Sequence, residues 1–457
     1  MSRDLTSGNP LKQLALFIWP VLLGNLFQQL YNIADTSIVG RFLGPASLAA
    51  IGSTGSLTFM VIGFAMGLCL GFCIPVARAF GAKDIAALRL YLSNIIALTI
   101  AISVVLSIGS ALLTNRILQT MQTPDDMFDD ARAYISILFS GIFVTMAYNI
   151  LANLSRSIGD SRTPLIFLIA ATFVNIALDL LFILAFGWGV SGAAIATVIS
   201  QAASGIACFI YMTRRFPELR ISRKEFRLDA RVMGELLYMG VPMALQFSIT
   251  AVGSIIMQAC VNQYGSSIAA AVTAGSKVQM ILTTPLDSIG MSMATYVSQN
   301  LGARRLDRIR TGVNQTLLAS LVLSVLGFFG ALKLGPPLAL LFLDASQTEI
   351  LAHIQQYLMY SASCLYVLAS LMILRNALQG LGYSVPAMAA GLFELIARAV
   401  VGLVFVRSIG FSAICISNPA AWFAADIFLI PAYAMAMRRM KRRAAVEGWV
   451  TTSSQRV

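Results

Sequence analysis

The chain has 457 residues, of which 58% are hydrophobic and 11% are charged, whereas soluble globular proteins carry roughly 25% charged residues. With a mean hydropathy of +0.80, this composition excludes a soluble protein. A net charge of +12 would suggest nucleic-acid binding in a soluble chain. In a membrane protein, that charge must first be compared with the excess of lysine and arginine that cytoplasmic loops normally carry.

Twelve apolar segments follow one another along the chain, each long enough for the roughly 20 residues that a spanning helix needs. The first has no cleavage signal and is too long for a secretory signal peptide, so we expect it to be retained as a span. The sequence therefore predicts an all-α integral membrane protein with twelve transmembrane helices. Their approximate cores are 12–40, 49–77, 90–114, 128–153, 164–186, 190–212, 233–262, 268–298, 311–334, 350–374, 385–406 and 411–437.

An internal repeat organises these spans, because residues of the first half recur 221 positions later. The matching pairs include Gly44 and Gly265, Gly81 and Gly302, Ala82 and Ala303, and Lys83 and Arg304. Six spans per repeat is an even number, so both halves have the same orientation in the membrane. The prediction is two pseudo-symmetric six-helix lobes: an N-lobe at 1–213, a basic cytoplasmic linker at 214–232, and a C-lobe with a basic cytoplasmic tail at 233–457. A cavity between such lobes, opening to alternate sides, is expected of a secondary transporter.

Positive charge is distributed unevenly between the two sides of the predicted bundle. Of the 32 lysine and arginine residues, 25 fall in the even-numbered loops and the two tails. The odd-numbered loops hold only Arg41, Arg116, Arg132, Lys333 and Arg407. This asymmetry places both termini in the cytoplasm, and it explains the basic linker without nucleic acid as a partner.

Ionisable side chains inside spans are costly, so each is a candidate functional residue. Asp179 lies 8 residues before the Gly187 turn and Thr197 lies 10 residues after it, which places both roughly 12–15 Å from that turn. Asp35 has the same relation to the turn at Gly44. Four oxygen-bearing side chains can therefore meet at one depth in the outer half of the N-lobe: Asp35, Asn175, Asp179 and Thr197.

Two carboxylates with an amide and a hydroxyl form a set of hard oxygen ligands that suits a small cation such as Na⁺ or a shared proton. Two buried carboxylates also repel each other, which favours proton capture by the pair. The alternative is a buried hydrogen-bond network that only holds predicted spans 1, 5 and 6 together. A neutral network would do that without two acids.

These residues resemble the MATE (multidrug and toxic compound extrusion) transporter family over the whole chain. The resemblance rests on the twelve spans, the duplication, the helix 1 proline and aspartate, the paired Gly-Ala-Lys and Gly-Ala-Arg turns, and the Asn-x-x-x-Asp of span 5. It implies that Asp35, Asn175, Asp179 and Thr197 form the cation or proton site, as in DinF-like members. It further implies that Tyr31 lies beside this site and that Pro20 lets helix 1 bend.

The C-lobe departs from the NorM-like branch of that family, in which a glutamate and an aspartate of the C-lobe help to bind sodium. Thr250 stands at the position of the glutamate, which puts such a site in doubt. The C-lobe instead has five candidate cavity residues: Lys277, Asp287, Glu394, Arg398 and Asp426. Glu394 and Arg398 are one helical turn apart, which predicts a salt bridge of either structural or cavity-lining role.

The resemblance implies a secondary active multidrug efflux antiporter, which exchanges lipophilic, often cationic compounds for H⁺ or Na⁺ by alternating access. The expected partners are small-molecule drugs or metabolites and membrane lipids, with no cofactor, no nucleic acid, no metal beyond Na⁺ at the N-lobe site, and a monomeric state. The expected location is the plasma membrane, the inner membrane of a prokaryote. One alternative is a lipid-linked oligosaccharide or lipid flippase, which would need a wide basic groove. An integral membrane enzyme would need a nucleophile–base pair or a metal motif, and the sequence has neither.

Overall fold

A computed structural model describes residues 4–120, 123–340 and 347–449 as a helical protein, without a β-strand in these ranges. In an apolar medium every backbone N–H and C=O must be paired within the segment, which favours helices throughout. The helices are α1 (Pro10–Leu43), α2 (Pro45–Gly81), α3 (Ile85–Thr120), α4 (Asp125–Ser140), α5 (Ile142–Ser157), α6 (Arg162–Leu180), α7 (Gly189–Arg215), α8 (Ala230–Asn262), α9 (Ser266–Gly302), α10 (Leu306–Ala339), α11 (Thr348–Ser363), α12 (Leu365–Gly380), α13 (Ser384–Val400), α14 (Val406–Ile409) and α15 (Phe411–Val446).

The described helices account for the predicted spans in three ways. Nine are long and apolar enough to cross a membrane individually. Two further spans are bent pairs, α4 with α5 and α11 with α12, and each pair bends by 51° at its break. The last is α9, which is 37 residues long but more polar because it carries Lys277 and Asp287. The prediction of twelve spanning elements in an all-α protein thus agrees with the helices of the structure.

The two halves of the chain share unusual backbone angles as well as equivalent helices. Gly44 has a φ of 89° before α2 and Gly265 has a φ of 90° before α9. Lys83 and Arg304 both have a φ of 57°, which is uncommon for a residue with a side chain. Because these pairs are 221 residues apart, the duplication read from the sequence extends to the conformation of single residues.

The chain forms two compact units. Unit 1 contains Trp19–Ala244, and unit 2 contains Leu5–Ile18 together with the residues from Leu245 onward. The core of unit 1 includes the fully buried Phe72 and Phe139, and that of unit 2 includes Tyr357 and Cys415. The lobe boundaries at residues 213 and 233 remain a prediction.

Close helix packing within unit 1 depends on glycine. A Cβ atom at Gly67 would lie 2.6 Å from Ala244 Cα, and one at Gly71 would lie 2.5 Å from Gly240 Cα. These distances are shorter than van der Waals contact, so any larger residue at 67 or 71 would push α2 and α8 apart. Small residues spaced four apart are a common solution for helices that pack in lipid.

The segment before α1 is held in unit 2 by a buried arginine. Arg308 donates hydrogen bonds to the carbonyl oxygens of Leu5, Ser7 and Gly8, at 2.6 to 3.2 Å. Asn300 Nδ2 donates a further bond to the Leu5 carbonyl. These bonds satisfy backbone acceptors that precede the helix, and they anchor the start of the helix that carries Asp35.

Candidate functional site

Three helices of unit 1 position the predicted N-lobe site. Asp35 comes from α1, Asn175 and Asp179 come from α6, and Thr197 comes from α7. Asn175 and Asp179 are fully buried, while Asp35 is 8% exposed. Their four-residue spacing puts Asn175 and Asp179 on one face of α6. The structure brings Asp35, Asn175 and Asp179 together as buried side chains, and Thr197, which is half-buried, is joined to them through Tyr31.

Direct side-chain contacts connect the members of this cluster. The carboxyl groups of Asp35 and Asp179 interact with each other. Asn175 Nδ2 donates a long hydrogen bond of 3.5 Å to Asp179 Oδ1. Tyr31 Oη donates a hydrogen bond of 3.1 Å to Thr197 Oγ1, which joins α1 to α7. Tyr31 thus lies beside the acids, where the resemblance placed it.

Three oxygen atoms of the cluster lack a protein donor. Within the described part of the chain, Asp35 Oδ1, Asp179 Oδ2 and Asn175 Oδ1 are buried and accept no hydrogen bond. A buried acceptor without a partner is costly, and two facing carboxylates are costlier still. A proton shared between the acids, or a small cation bound by these oxygens, would remove both costs.

The helices that carry the site are locally irregular. Pro20 lies inside α1, where it removes a backbone hydrogen-bond donor about three turns before Tyr31. Directly after Asp179, α6 gives way to a π-helical turn at Leu181–Ala185. Such turns often occur at functional sites because they change the direction of the side chains around them. Helix α13 repeats this feature, with a π-helical turn at Val401–Phe405 after Arg398.

Tyr134 is a member of the site that the sequence analysis did not identify. It lies on α4, is 9% exposed, and is within electrostatic reach of Asp35, Tyr31 and Asp179. It lies about two and a half turns after the start of α4 at Asp125, and no local sequence signal links it to α1 or α6. Only the packing of α4 shows that it borders the two acids.

In unit 2, Glu394 is shared by two arginines. Arg398 Nη2 lies 3.4 Å from Glu394 Oε2, which confirms the predicted salt bridge within α13. Arg375 Nη1 lies 2.9 Å from Glu394 Oε1. The predicted span 350–374 ends before Arg375 and so assigned it to the following even-numbered loop, and this prediction is wrong: Arg375 lies within α12 and is 7% exposed. A buried arginine next to the polar end of a span cannot be separated from a loop residue by hydropathy alone.

The remaining C-lobe candidates differ in their surroundings. Asp426 accepts a hydrogen bond from Ser370, and its Oδ1 atom has no partner among the residues that the structure describes. Arg375 is within electrostatic reach of both Asp426 and Asp287. Lys277 is exposed and forms no salt bridge with any described residue. The structure therefore groups Asp287, Glu394, Arg398 and Asp426 around Arg375, and it leaves Lys277 outside this group.

A duplicated bundle of spanning helices with a buried acidic pair in one half defines a multi-pass membrane transport protein. The model of the MatE family matches residues 20–181 and 242–404, one match in each repeat. These matches cover more than half of the chain, so the chain belongs to the MatE family. It is accordingly a transporter and not an enzyme.

Individual relatives agree with this assignment. The chain is 30% identical over 353 residues to the probable multidrug resistance protein YoeA of Bacillus subtilis, covering 75% of each chain. It is 29% identical over 300 residues to the probable multidrug resistance protein YpnP of the same organism, covering 65% of this chain and 67% of YpnP. A crystal structure of MATE in complex with MaL6 superposes with a TM-score of 0.90 at 22% identity, covering 96% of this chain and 99% of the other. This last similarity confirms the twelve-helix fold.

Proposed function

We propose that this protein is a cation-coupled multidrug efflux antiporter, closer to the DinF-like than to the NorM-like branch of its family. It exports lipophilic, often cationic compounds in exchange for H⁺ or Na⁺, without a cofactor. The observation that carries the proposal is the contact between the carboxyl groups of Asp35 and Asp179. One oxygen of each, Asp35 Oδ1 and Asp179 Oδ2, accepts no hydrogen bond from the described residues. The names of YoeA and YpnP support drugs as the class of substrate.

The exchange needs no more than a difference in affinity between conformations. In one conformation, the ion occupies the oxygens of Asp35, Asn175 and Asp179, and it neutralises the repulsion between the acids. In the other, those side chains separate, the ion leaves and the substrate binds. By linkage, an ion that favours the state with low drug affinity must itself bind more weakly when drug is present.

Drug affinity is therefore expected to fall when the coupling ion is abundant. If protons couple transport, affinity weakens as the pH falls from about 8 to about 5, because protonation of the acids favours the ion-loaded state. If sodium couples transport, affinity weakens as sodium rises at constant pH. Equilibrium titration of a fluorescent lipophilic cation against purified protein, across pH and with or without sodium, measures both dependences.

Two variants make this measurement specific to the N-lobe site. Asp179→Asn should remove the dependence on the coupling ion, while Asp129→Asn, which removes an exposed charge on α4, should keep it. A drug affinity that is independent of both ions in the unmodified protein would separate the acidic pair from substrate binding. The antiporter proposal would then be abandoned, although the fold and the family would stand.

A lipid-linked flippase is less consistent with the buried charges. Such a protein needs free cationic side chains for a pyrophosphate headgroup. Arg375 and Arg398 are both buried, and both are paired with Glu394. Lys277 alone does not form a basic groove. The C-lobe group around Arg375 is better explained as a structural cluster of salt bridges within unit 2.

We further propose a plasma-membrane location with both termini in the cytoplasm, from the uneven distribution of lysine and arginine. Single cysteines at Ser222 and Arg304, both exposed, should react with an impermeant maleimide only after the cells are opened. A cysteine at Gln122, which lies outside the described residues, should react in intact cells. The experiment needs a cysteine-free background, since Cys364 is partly exposed. Labelling at 222 in intact cells would reverse the orientation.

A further inference from the structure

A cavity lies on the side of unit 1 between α3, α5 and α7, apart from the acidic pair. Its volume is about 210 Å³. Its walls are hydrophobic apart from two threonines, Thr99 and Thr213. The apolar lining includes Leu92, Ile96, Ala147, Ile150, Phe209 and Leu219. A cavity with such walls fits a hydrocarbon chain and offers a polar ligand almost nothing.

The cavity opens toward the membrane. Four residues of its lining are exposed, and all lie on spanning helices: Ile96, Ile100, Phe143 and Phe209. Exposed apolar side chains on a spanning helix face lipid, so the molecules that reach this opening first are membrane lipids.

One end of the cavity carries a fixed positive charge. Arg220 donates a hydrogen bond of 2.6 Å from Nε to the carbonyl of Thr213, which itself lines the cavity. Its Nη2 atom donates to the carbonyl of Arg214 at 3.4 Å. The neighbours of Arg220 in the chain, Leu219 and Ile221, also line the cavity. The guanidinium is thus held beside Thr213, and the residues on either side of Arg220 form part of the cavity wall.

The linker that carries Arg220 is held in place on α3. Arg89 donates hydrogen bonds to the carbonyls of Pro217 and Glu218 and pairs with Glu225. Hydrogen bonds from Ser222 and Arg89 also hold the pKa of Glu225 below its usual value, so this acid remains ionised and engaged with Arg89. These contacts between Arg89 and the linker therefore fix the position of Arg220 beside the cavity.

Further positive charge surrounds Arg220 without a matching number of acids. Residues 214–232 contain seven lysine or arginine residues and three acids, Glu218, Glu225 and Asp229. Arg214, Arg215, Arg223 and Lys224 are exposed, and none forms a salt bridge with a residue that the structure describes. Basic clusters at the end of spanning helices attract anionic lipid headgroups.

We propose that this cavity is a binding site for an anionic phospholipid of the leaflet on the linker side. One acyl chain enters between α3, α5 and α7, and the phosphate pairs with Arg220 and the exposed basic residues beside it. The lipid holds the linker and α7 against α3 and α5, and so it stabilises unit 1. A lipophilic drug would also fit the apolar walls of the cavity. Binding of such a drug, however, would not require an arginine beside the cavity to pair with a phosphate.

The test compares phosphatidylglycerol with phosphatidylcholine of identical acyl chains, added to purified protein in detergent. Native mass spectrometry should show one phosphatidylglycerol retained at collision energies that remove phosphatidylcholine. The same lipid should raise the melting temperature by several degrees, since a ligand that binds only the folded state stabilises it. Arg220→Gln should remove the preference between headgroups, and Ala147→Phe, which places a ring in the cavity, should remove retention of both lipids.

Matched variants separate this site from general effects of charge and size. Arg439→Gln removes an exposed arginine of α15, and Ala101→Phe adds a ring at an exposed position of α3 outside the cavity lining. Both should retain the lipid as the unmodified protein does. If Ala147→Phe lowers the melting temperature in lipid-free detergent, Ile96→Phe at the exposed edge of the cavity replaces it.

Three results would overturn the proposal. The first is equal retention of the two lipids by the unmodified protein. The second is undiminished retention of phosphatidylglycerol in both Arg220→Gln and Ala147→Phe. The third is displacement of the lipid by a transported drug in competition with it, which would make the cavity a drug site. None of these outcomes depends on the ion coupling of transport.

Discussion

Replacing Asp35 or Asp179 by asparagine is expected to abolish drug efflux while the protein still folds and inserts. Asparagine keeps the shape of the side chain, but it cannot exchange a proton near neutral pH and it binds a cation more weakly. Either change also removes the repulsion between two buried acids, so the melting temperature should stay the same or rise. Efflux of a fluorescent drug from cells, and its transport into proteoliposomes, measure the loss.

The control for this prediction is Asp129→Asn, which removes a carboxylate on α4 that is exposed. It should transport at the unmodified rate. All variants must be compared at equal amounts of membrane-inserted protein. Near-normal drug resistance in Asp35→Asn or Asp179→Asn would show that the cluster only joins α1, α6 and α7 by hydrogen bonds.

Replacing Glu394 by glutamine is expected to cause the largest loss of stability, about 3 to 5 kcal/mol in the free energy of unfolding. Glu394 contacts both Arg375 and Arg398, and all three residues are buried. Without the carboxylate, both guanidinium groups lose this salt bridge while they remain buried. A lower melting temperature in detergent and a smaller monodisperse fraction after extraction would report the loss.

An exposed pair of the same geometry provides the control. Arg443 and Glu447 are four residues apart and 2.6 Å from each other, but the Arg443 side chain is 61% exposed. Glu447→Gln should leave the melting temperature nearly unchanged, because a solvent-exposed ion pair contributes little to stability. Adding Arg398→Met to Glu394→Gln should recover part of the lost stability, because it removes one unpaired charge. A normal melting temperature with altered drug affinity would instead show that Glu394 takes part in drug binding.

The two lobes use equivalent positions for different charges. Asn175 and Asp179 of the first repeat correspond to Glu394 and Arg398 of the second, 219 residues later, and each pair is followed by a π-helical turn. In unit 2 the acid is neutralised by arginines, whereas in unit 1 neither Asp35 nor Asp179 forms an ion pair with a basic residue of the described ranges. This difference is the physical reason to place the coupling ion in the N-lobe.

The sequence by itself determined the membrane class, the number of spans and the duplication. Each of these depends on local hydropathy or on residues that recur at a constant offset, such as Lys83 and Arg304. It also predicted the depth of Asp35, Asp179 and Thr197, because the rise per residue of a helix is constant. Depth along a helix is a local quantity, and no packing is needed to estimate it.

Only the tertiary structure decided which side chains at one depth meet. Tyr134 borders the acids and Arg375 contacts Glu394 because of how α4 and α12 rotate and pack, and sequence spacing carries no information on that rotation. The bends of 51° between α4 and α5 and between α11 and α12 likewise could not be predicted from the hydropathy of the sequence. The contact of Arg220 with the end of α7 depends on a fold-back of the linker that residues of α3 stabilise, and such contacts between distant segments exist only in the packed protein.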